Sequence, residues 1–422
     1  MVPSSWNKAT IGDIAPRVGS GSTPRGGRKA YVEQGIPFLR SQNVHFGGLR
    51  TSGLVMITEE THAHMARTHL QDNDVLLNIT GASIGRCAVV PKGFGPGNVN
   101  QHVCIIRVDR KTTEPQYVAA FLESKVGQEQ ISKRQSGLSR EGLNFKQVRA
   151  VELPLPPLPE QKKIAEILGS VDEAIQKTQA VISQTERVKK GLLQELLTRG
   201  MPGRHTRFKK TEIGEIPADW EVVRLEDVAK VFNGKGRKSG GSWLRVFKTK
   251  HVYDGDLRLD QPEYVPDDIA ADVPEWAYLR SGDTVTPNMA HATIGRISFV
   301  PRVEEKWACD AQVMVIRTLN PKVINSRYIY EVLSGHRGRT QILGREVGSI
   351  FGPARGQTHL YPKDVGSIEI ALPPENEQSE IASMCEQFDS AIAVNKARLL
   401  PLGQIKRGLM NDLLTGKVRV KV

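Results

Sequence analysis

The sequence predicts an α+β chain: two repeated α/β domains alternate with two long helices, which pair as an antiparallel coiled coil with pseudo-two-fold symmetry. Three observations predict it. Residues 155–198 recur as 372–415, displaced by 217 positions without a gap and with 17 identities in 44. Both copies place apolar residues at helical seam spacing over more chain than an ordinary core helix uses. The segments before each copy mix short β-like runs with brief helical patterns, broken by Gly, Pro and Asn.

Composition bounds the answer. A length of 422 residues suits two or three domains, and 39% hydrophobic with 25% charged residues is ordinary globular composition. No run approaches the ~20 apolar residues of a membrane helix. The opening Met1-Val2-Pro3-Ser4-Ser5-Trp6 has neither a basic region nor an apolar one, so no secretory signal is expected and the cytoplasm is. Cys87, Cys104, Cys309 and Cys385 are scattered, which argues against a disulfide framework or a zinc site. Fifty-eight Lys and Arg against 46 Asp and Glu give +12 and favour an acidic partner such as nucleic acid.

In chain order, the first domain spans 1–154, with β-like runs at 88–90 and 103–106 and a helical pattern at 117–122. The first long helix, 155–200, follows a Pro-Pro stop. Its seam is Ile164, Leu168, Val171, Ile175, Thr178, Ile182 and Leu192, the alternating spacing of a coiled coil. A linker, 201–219, leads to the second domain at 220–371, with β-like runs at 297–300 and 313–316 and a helical pattern at 328–333. The second helix, 372–416, repeats the seam as Ile381, Phe388, Ile392, Asn395, Leu399 and Leu409, and 417–422 is a tail. Asn395 answers Thr178 in the repeat, and the two are expected to lie close together. Pro401 is expected to kink or divide the second helix. Gly200 and Gly416 suit C-terminal caps, and Glu160 and Glu377 suit the positive helix ends.

The domains match loosely as well. Trp6 answers Trp220, Asp74 answers Asp283, and Ser83-Ile84-Gly85-Arg86 answers Thr293-Ile294-Gly295-Arg296, read here as a hairpin turn or a backbone near phosphate. Between Lys230 and Lys250 lie seven basic residues and no acidic one, followed by an acidic stretch to Asp283. Such sorting suits one face laid on phosphates and another turned elsewhere. Polar loops beside the basic runs supply the candidate DNA contacts. In the first domain these are Arg25, Arg28, Lys29, Arg40, Gln42, Asn43, Arg86, Asn100, Gln101, His102, Arg134, Ser139 and Arg140. In the second they are Lys235, Arg237, Lys238, Lys248, Lys250, His251, Arg296, Gln312, Arg345, Arg355 and Gln357. Arg and Lys suit guanine O6/N7, and Asn and Gln suit adenine N6/N7.

Catalytic signatures are missing from the sequence. It lacks a Walker-type phosphate loop, the Asn-Pro-Pro-aromatic segment of amino-methyltransferases and a Gly-rich S-adenosylmethionine loop. His62, His64 and His69 cluster without partners at metal-ligand spacing. The competing reading, a nuclease with a metal-dependent core at Asp267, Glu304 and Lys306, rests on residue order in one domain only. A coiled-coil adaptor that binds no DNA is the other alternative.

The repeated Leu-Pro-Pro…Glu-Gln…Ile-Ala…Asp-x-Ala-Ile helices end in Gly-Leu-Leu-x-x-Leu-Leu-Thr and Gly-Leu-Met-x-x-Leu-Leu-Thr. With the Trp6 and Trp220 openings and the stretch 74–86, they resemble the specificity subunit of type I restriction-modification enzymes over nearly the whole chain. The resemblance implies two target-recognition domains, each reading half of a bipartite asymmetric sequence in double-stranded DNA. It implies that the helices act as spacer and as docking surface for two methylation subunits, which a motor-nuclease restriction subunit joins. It further implies no catalysis and no cofactor in this chain, with S-adenosylmethionine, ATP and Mg in the partner subunits.

Overall fold

The computed structural model describes residues 3, 5–135, 142–235, 239–289, 292–349 and 357–421. They form two compact units, residues 1–180 with 395–422 and residues 181–394. The division cuts through both long helices, so each unit holds one globular domain and a half of each helix.

In the first unit, Val103–Arg107 is the centre of a four-stranded antiparallel sheet, between Arg17–Ser20 and Val75–Asn78, with Cys87–Val89 outermost. Its first four residues are fully buried, because the sheet is covered on both faces. Period-two alternation sorts them. Cys104 and Ile106 enter a core with Tyr117, Phe121 and Leu122 of the helix Pro115–Glu123. Val103 and Ile105 face the other way, onto Leu39 and Val99 of a three-stranded sheet of Val55–Ile57, Ile36–Leu39 and Asn98–Val99. The layers are helices, large sheet and small sheet. Each fully buried aliphatic side chain contributes about 1.5–3 kcal/mol.

The second unit repeats the plan. Val313–Thr318 lies between Ala229–Asn233 and Thr284–Pro287, with Ser298–Phe299 at the edge. Met314 and Ile316 meet Tyr328, Ile329 and Leu333 of the helix Ser326–Ser334, while Val313 and Val315 pack on Phe247 and Cys309. A buried bidentate pair ties the central strand to its neighbour in both units: Arg107 to Asp74 at 2.7 Å, and Arg317 to Asp283 at 2.8 Å. All four cysteines are buried thiols without disulfides, and burial pushes Cys104 and Cys385 up to about 12.

The first long helix runs Leu158–Arg199 and the second Glu375–Leu414. Pro401 does not divide the second helix; it sits exposed inside an uninterrupted run. Both helices stop at a glycine in the left-handed region, Gly200 at φ 74° and Gly416 at φ 72°, where a Cβ would be strained. The helices pack antiparallel. Ile164 and Leu168 share a core with Met410, Leu413 and Leu414 in the first unit, and Leu196 shares one with Ile381 in the second. Of the seam positions, Ile164, Leu168, Ile182, Ile381 and Ile392 are buried. Val171, Ile175, Thr178, Leu192, Phe388, Asn395, Leu399 and Leu409 are half-buried.

A charged pair of the repeat fixes the register. Lys406 bonds Asp172 at 2.6 Å, and its repeat counterpart Lys189 bonds Asp389 at 2.8 Å. Each lysine also meets a glutamate on its unit's short helix, Lys406 with Glu123 and Lys189 with Glu331. Those glutamates occupy different sequence positions, one helical turn apart, yet do the same job. Extended from the Asp172–Lys406 pair, the antiparallel register sets Thr178 opposite about position 400 rather than beside Asn395. The Thr178 hydroxyl donates to the Ala174 carbonyl, its own preceding turn.

Candidate nucleic-acid interface

Each domain is welded to its helix start by the same three side chains. The Gln161 amide donates to the carbonyls of Pro156 and Thr112 and accepts from Glu114 N–H at 2.8–3.0 Å. Gln378 does the same with Pro373, Val323 and Asn325. Tyr117 and Tyr328 donate to the carbonyls of Pro154 and Ala371, equivalent positions of the repeat. Glu160 and Glu377 are buried and accept from the indoles of Trp6 and Trp220, both at 3.1 Å. Further donors complete these carboxylates: Arg419 for Glu160, and His205 with Met201 N–H for Glu377. The helix-dipole reading of these glutamates therefore missed their main contacts. The sequence signal was the identity of Glu-Gln in both copies.

Held by this junction, each domain brings several of its described loops together at one end of its sheets. In the first unit, Gly21 and Ser22 N–H groups bond the carbonyls of Val103 and Val99, so 21–23 runs beside 99–103. A Cβ on Gly21 would lie 1.7 Å from the Val99 carbonyl oxygen, so only glycine permits that approach. Gly234 repeats this against Cys309, at 2.2 Å. Asn78 ends its strand by donating to Ser41 and Ser83, which ties the 40–43 and 81–86 turns to the same end. In the second unit, Asn288 donates to the Ala311 carbonyl and accepts from Leu360 N–H, linking the 310–312 turn to the chain after Gln357–His359.

The candidate contacts divide by what their side chains already do. Arg25, Arg28 and Lys29 are exposed on the one-turn segment Gly27–Ala30 and its approach, and among the described residues have no ionic partner. Gln42, Gln101, Lys235 and Gln312 are also exposed. Asn43 and His251 are buried structural caps: Asn43 Oδ1 accepts from Arg40 N–H at 3.0 Å, and His251 Nδ1 accepts from Lys248 N–H at 2.9 Å. Burial lowers the His251 pKa and keeps the imidazole neutral. Asn100 is likewise buried, accepting from His102 N–H. Arg134 and Arg345, equivalent in the repeat, spend their guanidiniums on carbonyls, Gln130 and Ala150 for one, Gln341 and Ser367 for the other. Arg40 donates to the Gly53 carbonyl with its guanidinium 5.7 Å from the Tyr31 ring centre.

Three residues of the second domain's basic run, Arg245, Lys248 and Lys250, are paired within the domain. Lys248 and Lys250 both hold Glu263 at 2.6 Å, and Arg245 pairs with Glu305. Hydrogen bonds from Lys248, Lys250 and Ser239 pull Glu263 down to about 2. At these pairs the acidic and basic stretches meet. Arg86 and Arg296 are half-buried in hairpin turns whose glycines, Gly85 and Gly295, have φ 86° and 87°. Arg296 donates to Ala292 and lies 5.8 Å from the Tyr253 ring centre. Ser139, Arg140, Arg237, Lys238 and Arg355 lie outside the described residues; Gln357 is placed only as a backbone partner of Ser349.

The nuclease alternative finds no support in this geometry. Asp267 accepts from the backbone and hydroxyl of Ser242, Lys306 lies 5.1 Å from the Tyr278 ring centre, and Glu304 is exposed. Among the described residues no group of three His, Cys, Asp or Glu is placed to hold a metal ion, and no helix is long and apolar enough to cross a membrane. His62 and His69 stack on each other, with His62 bonded to Asn98.

A family model described as the type I restriction modification DNA specificity domain matches residues 3–187 and again 217–402. The chain belongs to this family. Relatives carrying such specificity domains include the MjaVIII type I restriction enzyme specificity subunit of Methanocaldococcus jannaschii. It is 26% identical over 426 residues, covering 100% of this chain and 94% of the relative. The EcoBI specificity subunit of Escherichia coli is 24% identical over 236 residues, covering 55% and 45%. The fold is that of the type I restriction-modification S subunit of M. genitalium, with a TM-score of 0.61 at 16% identity, covering 98% and 96%. A second solved structure, titled for assembly and conformational transition of the type I system, has a TM-score of 0.54 at 16% identity. The family assignment agrees with the one that the repeated helices suggest.

Proposed function

We propose that this chain is the non-catalytic DNA-recognition subunit of a type I restriction-modification complex. Each domain reads one half of a bipartite, asymmetric duplex target through the loops gathered at its sheet end. The long helices set the distance between the half-sites and dock two methylation subunits, with motor-nuclease restriction subunits joining the full complex. S-adenosylmethionine, ATP and Mg belong to those partners, and the assembly works in the cytoplasm.

The observation that carries this reading is the duplicated weld. Trp6–Glu160, Gln161 and Tyr117 recur as Trp220–Glu377, Gln378 and Tyr328, while the loops they hold differ in residue and charge. A rigid, repeated joint beneath divergent loops is what constant spacing with variable sequence requires, as in dimeric readers whose half-sites lie about one DNA turn apart. The test is binding of the purified chain with its methylation subunits to duplex DNA across a salt series. The expected result is a steep loss of affinity with salt and strong preference for one bipartite sequence. Salt-insensitive or absent duplex binding would overturn the proposal.

A further inference from the structure

We propose that Gln101 is the adenine-reading residue of the first domain, its amide oriented by a hydrogen-bonded chain through Thr23, His102 and Thr80. This rests on the function proposed above and names the base pair that one loop reads.

The chain is built from the backbone outward. The close approach at Gly21 brings 21–23 alongside 99–103, which sets Thr23 beside Gln101. Asn100 caps the turn by accepting from His102 N–H at 3.2 Å, and Ile79 N–H bonds the His102 carbonyl at 3.0 Å, fixing that residue next to Thr80. Thr23 hydroxyl then donates to Gln101 Oε1. Gln101 Nε2 meets His102 Nε2 at 3.2 Å, and His102 Nδ1 meets the Thr80 hydroxyl at 2.5 Å. The amide nitrogen has no lone pair to offer, so it donates and His102 Nε2 accepts. The ring proton of the neutral imidazole therefore sits on Nδ1 and points to Thr80.

A primary amide has two N–H donors and two oxygen lone pairs. One of each is used internally, by His102 and by Thr23. One donor and one acceptor remain on an exposed side chain whose orientation is already set. That pair matches N7 and N6–H₂ of adenine in the major groove, and it mismatches guanine, which offers two acceptors there. A fixed amide also loses less rotamer entropy on binding than an unsupported glutamine would.

The second domain lacks the device. In its equivalent turn Ala311 stands where Gln101 stands, Gln312 where His102 stands, and Asp310 replaces Asn100 as the cap. The two domains therefore read by different chemistry at the same place in the fold, as an asymmetric target demands.

The experiment selects bound duplexes from a randomised library with the chain and its methylation subunits, for the native protein and for Gln101→Ala, Gln101→Glu and Thr80→Val. The native protein is expected to enrich an A·T pair at one position of one half-site. Gln101→Ala should lower discrimination at that position alone by roughly 5- to 150-fold, the range of one good bidentate contact. Gln101→Glu should redirect it toward C·G, and Thr80→Val should weaken it while leaving the affinity for random duplex unchanged. Because Gln101 is exposed, its two variants should melt as the native protein does, which separates lost reading from lost folding. Unchanged enrichment at every position with Gln101→Ala would overturn the assignment but leave the bipartite reading standing. Absence of any enriched sequence with the native protein would overturn both.

Discussion

Replacing Lys406 with Met should destabilise the first unit more than any surface change. Lys406 is only 8% exposed and holds two carboxylates, Asp172 at 2.6 Å and Glu123. Burial alone would lower its pKa, but Glu123 and Asp172 outweigh that and raise it, so it is charged. Met preserves most of the stem's packing and removes the charge, leaving two carboxylates facing each other with little solvent. Breaking one partner out of a buried network costs about 3–5 kcal/mol. Asp172 keeps some exposure, so the lower end applies, about 3 kcal/mol. For a unit of this size that is a fall of roughly 6–12 °C in melting temperature by calorimetry. Burial holds Glu123 above its ordinary carboxylate range. A raised folded pKa favours folding below the unfolded value and loses that advantage as pH rises through the folded one. The gap between Lys406→Met and native protein should therefore narrow as pH falls from 7 toward 4.5. A triple change, Lys406→Met with Glu123→Gln and Asp172→Asn, should recover most of the loss. A single variant within about 1 °C of native at pH 7 would refute the network as a register lock.

Other outcomes follow from the same contacts. Gln378→Ala removes three hydrogen bonds at a buried junction and strands an N–H and two carbonyls; the expected loss is about 2–4 kcal/mol in thermal melts. Glu263 should titrate near 2 by carbon-13 NMR, well below the usual 4.5. Its folded pKa is lowered, so the clamp on Lys248 and Lys250 is intact above pH 4.5 and releases as pH falls toward 2. Arg28→Ala with Lys29→Ala should reduce the salt slope of duplex binding by about one to two counterions without altering the preferred sequence, measured by titration at several salt concentrations.

The helices were legible because their period and their identities agree, and an apolar seam sustained over so many turns fits a paired long helix and little else. The central strands were legible too, since 103–106 and 313–316 are continuous apolar runs. Less legible was anything depending on a partner far along the chain. Glu160 and Glu377 looked like ordinary first-turn acids until their distant indoles were in place. Asn43 and His251 looked like base readers because sequence shows their hydrogen-bonding capacity and not its use; both are caps, one through Oδ1 and one through Nδ1. The pairing of Lys248 and Lys250 was hidden because Glu263 lies too far on in sequence to be matched to them by eye. Thr178 and Asn395 correspond in the repeat, but correspondence in a repeat is not contact, and the Asp172–Lys406 register separates them. Gln101 and His102 were visible as polar turn residues, while Thr23 and Thr80, which orient them, carried no signal of their own.

In the proposed function the divergent domains carry sequence and the repeated helix joints carry distance. Exchanging residues 1–150 for the corresponding domain of another family member, and mapping methylated sites in cells that also supply the methylation subunits, tests it most directly. One half-site is expected to change while the other half-site and the spacer between them stay as they were. A changed spacer, or a change in both half-sites, would contradict it.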